Sequence, residues 1–162
     1  MLATVYPPLD FPPTTLSITL SKLQVTAGRP FEGDVSIRNL GPNDAVLNLG
    51  ITLGNGQSYP DRLSLVARDP KGQVYTFIFA GPGGVAGRID PMVVSLARRR
   101  VYTVHGRWGA LRELPPEKYK FHVEFEGVPA RAVVSGMRDV NLNLLRYWLG
   151  KVSSNENTLS VP

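Results

Sequence analysis

The chain has 162 residues, 43% of them hydrophobic and 19% charged, a balance that suits one globular domain and argues against disorder. Its formal net charge of +5 favours anionic partners without identifying one, and the absence of cysteine excludes disulfides and thiolate metal sites. The apolar runs are too short for a membrane-spanning helix, and 16 Gly with 14 Pro imply many turns and therefore many short strands.

The opening, MLATVYPPLDFPP, has neither the basic nor the apolar region of a signal peptide and reads as an extended arm over 1–13 of a single domain, 1–162. Such a start fits a cytoplasmic chain or an exported one whose leader has been removed; the exported reading, periplasmic or secreted, is preferred. In TLSITLSKLQV, Leu16, Ile18 and Leu20 alternate and the phase then slips to Leu23 and Val25, which predicts a strand with a bulge near Ser21-Lys22. FEGDVSIRN places Phe31, Val35 and Ile37 inward and Glu32, Asp34, Ser36 and Arg38 outward.

Further strands are expected at 44–53, 62–69, 73–79, 91–96 and 99–105. Gly41-Pro42-Asn43-Asp44 and Asp69-Pro70-Lys71-Gly72 both read as hairpin turns, and Gly54-Asn55-Gly56 as a loop that tolerates positive φ. KYKFHVEFEG alternates Tyr119, Phe121, Val123 and Phe125 against Lys118, Lys120, His122, Glu124 and Glu126, a half-buried antiparallel strand. Val140, Leu144 and Trp148 in RDVNLNLLRYW have helical spacing, so one short helix or an irregular stretch is expected there, before a last strand near 157–161. About eight or nine strands at intervals of roughly ten residues predict an all-β antiparallel sandwich of two sheets.

The stretch AGPGGVAGR, residues 80–88, raises the question of phosphate binding. A phosphate loop needs a helix behind it, and Asp90-Pro91 followed by Val93 and Val94 favours a strand instead. Arginines are a second candidate: Arg88, Arg98, Arg99, Arg100, Arg107 and Arg112 stand against the single acid Asp90 in this part of the chain. On a strand, Arg98 and Arg100 would face opposite to Arg99, and a charged triplet at a strand start more simply marks a solvated turn or a protected edge. His105 and His122 lie far apart without ligand spacing, and Glu124 and Glu126 beside Lys120 read as a solvated face, so neither metal nor acid–base chemistry is supported. No catalytic residue and no cofactor is assigned. Aromatics near loops, Tyr59, Trp108, Tyr147 and Trp148, are candidate contacts set against an ordinary place in the core.

Two families are resembled. LSITLSKLQVTAGRPFEGDVSIRN, through Val25, Ala27, Gly28, Pro30, Arg38 and Asn39, resembles the opening of bacterial immunoglobulin-like domains. Trp148, Gly150, Val152, Ser154 and Asn155 are similar to their closing two strands, with Glu156-Asn157 inserted before Thr158. YPDRLSLVARDPKGQVYTFIF and LPPEKYKFHVEF resemble the bacterial intracellular proteinase inhibitor family, with Glu117 where that family has glycine. These resemblances imply an immunoglobulin-like β-sandwich and a non-enzymatic domain that recognises a protein or glycan partner through loops or an edge strand. The contacts expected to serve it are Tyr59, Arg88, Arg98, Arg99, Arg100 and Trp108. Two alternatives stay open: a proteinase inhibitor acting through the loop from Gly81 to Arg88, and an anion- or nucleic-acid-binding module, against which the strand geometry of the arginines argues.

Overall fold

The computed structural model describes residues 15–26, 28–80, 89–109, 114–130 and 145–162, and the glycine loop 81–88 and the helical spacing at 140–144 lie outside them. Among the described residues the chain is all-β, with eleven strands: β1 (Leu16–Gln24), β2 (Phe31–Asn39), β3 (Ala45–Leu53), β4 (Ser58–Tyr59), β5 (Leu63–Arg68), β6 (Val74–Phe77), β7 (Ile89–Leu96), β8 (Val101–Trp108), β9 (Glu117–Gly127), β10 (Gly150–Ser153) and β11 (Asn157–Val161). Residues 145–149 hold no helix. β4 is additional to the strands expected from the sequence, being too short to show a period, while β10 is the first of the two closing strands that the resemblance implied.

The strands form three sheets, ordered β1-β2-β8, β4-β3-β7 and β10-β9-β5-β6, the last with β11 also on β9. All the strand pairings are antiparallel. The first two sheets are the arms of one long ribbon. β2 pairs with β8 from Phe31↔Trp108 to Arg38↔Val101, and β3 continues with β7 from Ala45↔Leu96 to Leu53↔Ile89. Residues 40–44 and 97–100 form the corner between the arms, so Gly41-Pro42-Asn43-Asp44 is a bend from sheet to sheet and not a hairpin turn. The reason is a partner exchange: β2 and β3 each pair with a strand from the distant 89–108 region in preference to each other.

A buried amide holds that corner. Asn39 is fully buried; its Nδ2 donates to Asn43 O at 2.8 Å and to Leu96 O at 3.0 Å, while its Oδ1 accepts from Gly41 N at 2.9 Å. Its backbone N donates to Arg100 O and its O accepts from Arg99 N. Loss of such an amide would strand several buried polar groups, each at a cost of about 1–3 kcal/mol.

The third sheet packs on the ribbon through one core. Phe31 meets Phe77 and Phe121 at ring-centroid distances of 4.9 and 5.7 Å, and Leu20, Val35, Ile37, Leu47, Leu49, Leu63, Leu65, Val123 and Phe125 are essentially sealed from water. The side joints are polar. On one side Phe79 bridges to Trp108, with Ala80 N donating to Arg107 O and Gly109 N to Ile78 O. On the other, Asn155 serves the backbone of β1, its Oδ1 accepting from Leu20 N at 2.8 Å and its Nδ2 donating to Leu20 O at 3.2 Å.

Several local expectations hold. The register of β1 on β2 shifts between Ser21 and Gln24, where Lys22 has φ 54°, which is the bulge. Asp69-Pro70-Lys71-Gly72 closes the β5–β6 hairpin, with Gly72 at φ 87° and Asp69 Oδ1 accepting from Lys71 N and Gln73 N. Asp90-Pro91 does belong to a strand and not a helix, lying near the start of β7. The two closing strands, however, are not a hairpin: β10 and β11 run in succession along β9, with the break between them at residues 154–156.

Trp108 corrects another expectation. It is fully buried, its Nε1 donates to Leu63 O at 2.9 Å, and its indole lies over Gly106, where a Cβ would collide with the ring. A surface contact is therefore closed to it; burial of so large a ring contributes on the order of 4 kcal/mol to the core. Gly106→Ala is expected to lower stability by about 1–3 kcal/mol, because the ring fills the space that a methyl needs. Denaturant unfolding followed by tryptophan fluorescence measures it, and a variant as stable as wild type contradicts the packing.

Candidate functional site

The ribbon corner gathers exposed cations. Arg98 and Arg99 occupy the turn between β7 and β8, and Arg100 follows directly. Arg100 N donates to Ala97 O at 3.0 Å, closing a turn whose third position is Arg99 with φ 61°. Positive φ at that position ordinarily selects glycine or asparagine, and an arginine there is strained. Because these residues form a turn and not a strand, the alternation that would send Arg98 and Arg100 away from Arg99 does not apply.

Three residues not singled out as contacts from the sequence join the triplet. Arg38 is the cross-strand partner of Val101 on the outer face of the first arm. Val101 is 44% exposed and Leu40, in the bend itself, 56%. Arg38 had shown its outward phase in the alternation of β2; the exposure of Leu40 has no local signal, since it arises only where the chain changes sheets. One carboxylate stands in the corner: Asp44 Oδ1 accepts from the backbone N of Arg98 at 3.1 Å. None of Arg38, Arg98, Arg99 and Arg100 is ion-paired within the described residues.

The other expected contacts lie apart. Tyr59 is half-buried on β4, edge-on to Phe79 at 6.2 Å, with its hydroxyl donating to Gln57 Oε1 at 2.9 Å. Arg88 falls outside the described residues. Trp148 stacks on Phe125 at 5.7 Å over Gly127 and donates its backbone N to Val46 O, so it acts as a packing lid.

Two further polar groupings were not visible as groups in the sequence. On the outer face of the first arm, His105 Nδ1 lies 3.0 Å from Asp34 Oδ1 and its Nε2 3.7 Å from Glu32 Oε1, with Lys22 Nζ 3.8 Å from Asp34. Cross-strand register brings them together: Asp34 faces His105 and Glu32 faces Arg107. On the outer face of the third sheet, Asp61, Arg62, Ser64, Glu124, Glu126 and Lys151 line a shallow trough of about 130 Å3. Burial pushes the Asp61 carboxyl up, against the pull of Arg62. Among the described residues no three histidines or acids are placed to hold a metal ion. Compared with models of protein families, with curated proteins and with solved structures, the chain matches none.

The His105–Asp34 pair predicts a specific pH response. The hydrogen bond from His105 holds the Asp34 carboxyl below its ordinary range, and the Asp34 carboxylate raises His105. Stability from the raised histidine is fully present below its ordinary pKa and lost as pH rises through the folded value. Stability from the lowered carboxylate is present above its ordinary pKa and lost as pH falls through the folded value. The loss on His105→Gln should therefore be largest between about pH 4 and pH 6.5 and shrink on both sides. His105 is exposed and Asp34 only half-buried, so the effect is small; a loss that is flat across this range contradicts it. For the corner, Arg99→Gly relieves the left-handed strain and should raise stability by about 0.5–1 kcal/mol, measured by denaturant midpoint.

Proposed function

We propose that the chain is a non-enzymatic binding module of immunoglobulin-like type that recognises a protein partner through its edge and corner surfaces. The observation that carries the reading is the edge strand β6. It is the terminal strand of its sheet among the described residues. Val74 on β6 and Ile78, just past its end, are 54% and 56% exposed, and the run from Gln73 to Phe79 contains no charge and no proline. Edge strands are ordinarily blunted by lysine, proline or a bulge, so an uncharged, aliphatic edge is suited to contact with another chain. Aliphatic contacts of this kind favour a protein over a glycan, which stacks better on aromatic rings.

The immunoglobulin-like part of the reading is supported by a corner at the lead-in to β9. The Tyr119 hydroxyl donates to Pro115 O at 2.7 Å, four residues upstream, the kind of tyrosine corner that sandwich domains of this class use. An exported origin belongs to the same reading and rests on the resemblance alone.

Capture from an extract of the native cell tests the binding function. Immobilised wild-type protein should retain a defined species that Val74→Lys with Ile78→Lys no longer retains, the double variant keeping its unfolding midpoint. Retention unchanged by these substitutions, or no species retained by the wild type, contradicts a binding role for this edge.

A further inference from the structure

The ribbon corner has the chemistry of a second contact surface, one that deepens the binding reading and rests on it. Four arginines and two exposed aliphatics share a small area. Arg38 pairs across the strands with Val101, Arg99 and Arg100 are bonded through their backbones to Asn39, and Leu40 follows in the bend. Arg99 adds an independent observation. It holds φ 61° at a turn position where glycine would be unstrained. Strain retained for a long cation in an exposed turn points to a use for that side chain, since the turn itself would form better without it.

We propose that this corner docks an acidic peptide segment of a protein partner, with carboxylates spaced by apolar residues. Guanidinium forks match carboxylates in a two-pronged geometry, and the exposed Leu40 and Val101 offer aliphatic contact beside them. Single-stranded nucleic acid fits less well, because among the described residues the patch displays no aromatic ring on which a base could stack. A uniformly anionic surface, such as a lipid bilayer or a phosphate backbone, would meet the Asp44 carboxylate held at the Arg98 backbone. A peptide can place its acids around Asp44, which stays fixed by the Arg98 backbone N–H.

The test uses the full chain and a labelled synthetic peptide of glutamates interspersed with leucines. Its controls are the same peptide with lysine for glutamate, one with serine for leucine, phosphatidylserine-containing vesicles and a single-stranded DNA oligonucleotide. The glutamate–leucine peptide should bind best, with affinity falling as salt rises. Arg98→Ala with Arg100→Ala should weaken it by about ten-fold or more, as for loss of well-placed interfacial arginines. Leu40→Ser should weaken the glutamate–leucine peptide and leave the glutamate–serine peptide unaffected. Arg99→Gly should bind more weakly while unfolding at a higher midpoint, a combination that a purely structural role for Arg99 does not produce. Tighter binding of vesicles or DNA, equal binding by the arginine variants, or no peptide binding overturns the proposal. Its failure is separable from failure of the binding reading itself: a natural partner lost from the β6 variant but retained by the corner variants would sink the corner and keep the module.

Discussion

A two-stranded ribbon that must bend in the middle sets the form of the molecule. β2 runs into β3 and β7 into β8 without leaving their pairing, except at the corner, where residues 40–44 on one strand of the ribbon oppose 97–100 on the other. A corner in a sheet leaves backbone groups without ladder partners inside the protein, and buried groups of that kind must be bonded somewhere. Asn39 supplies the bonds: one fully buried amide reaches both arms and the bend. With the ribbon bent, both arms present inward faces to the third sheet, and a single core becomes feasible.

Tight aromatic seating accompanies that closure. Trp108 lies across Gly106 at the end of β8, and Trp148 across Gly127 at the end of β9, each ring occupying space that a side chain would take. At the opposite joint the connection is polar, with Asn155 bonding both backbone groups of Leu20 in place of a neighbouring strand. This protects an edge of β1 from pairing elsewhere, as native sheets generally require. β6 differs: Val74 on it and Ile78 just past its end are exposed aliphatics, and the run carries no charge.

Charge follows the same geometry. Cations collect at the bend, where a turn exposes three consecutive arginines beside Arg38, while Glu32 and Asp34 lie farther along the same arm and are partly neutralised by His105 and Lys22. A modest net charge of +5 therefore hides a local concentration of cations, with the Asp44 carboxylate bonded to the Arg98 backbone at its side.

The sequence by itself determined the all-β class, most strand positions, the bulge at Ser21-Lys22, the β5–β6 turn and the strand at Asp90-Pro91. These follow from side-chain period, from proline and from turn residues, all of which act over a few positions. Tertiary structure alone decided that Gly41-Pro42-Asn43-Asp44 is a bend and not a hairpin, that Trp108 is core, and that β10 and β11 both lie on β9. It alone joined Leu40, Arg38 and Val101 to the arginine triplet and set His105 beside Asp34. The reason is common to all of them: strand partners come from distant parts of the chain, and alternation specifies which face a residue occupies but not which strand lies next to it.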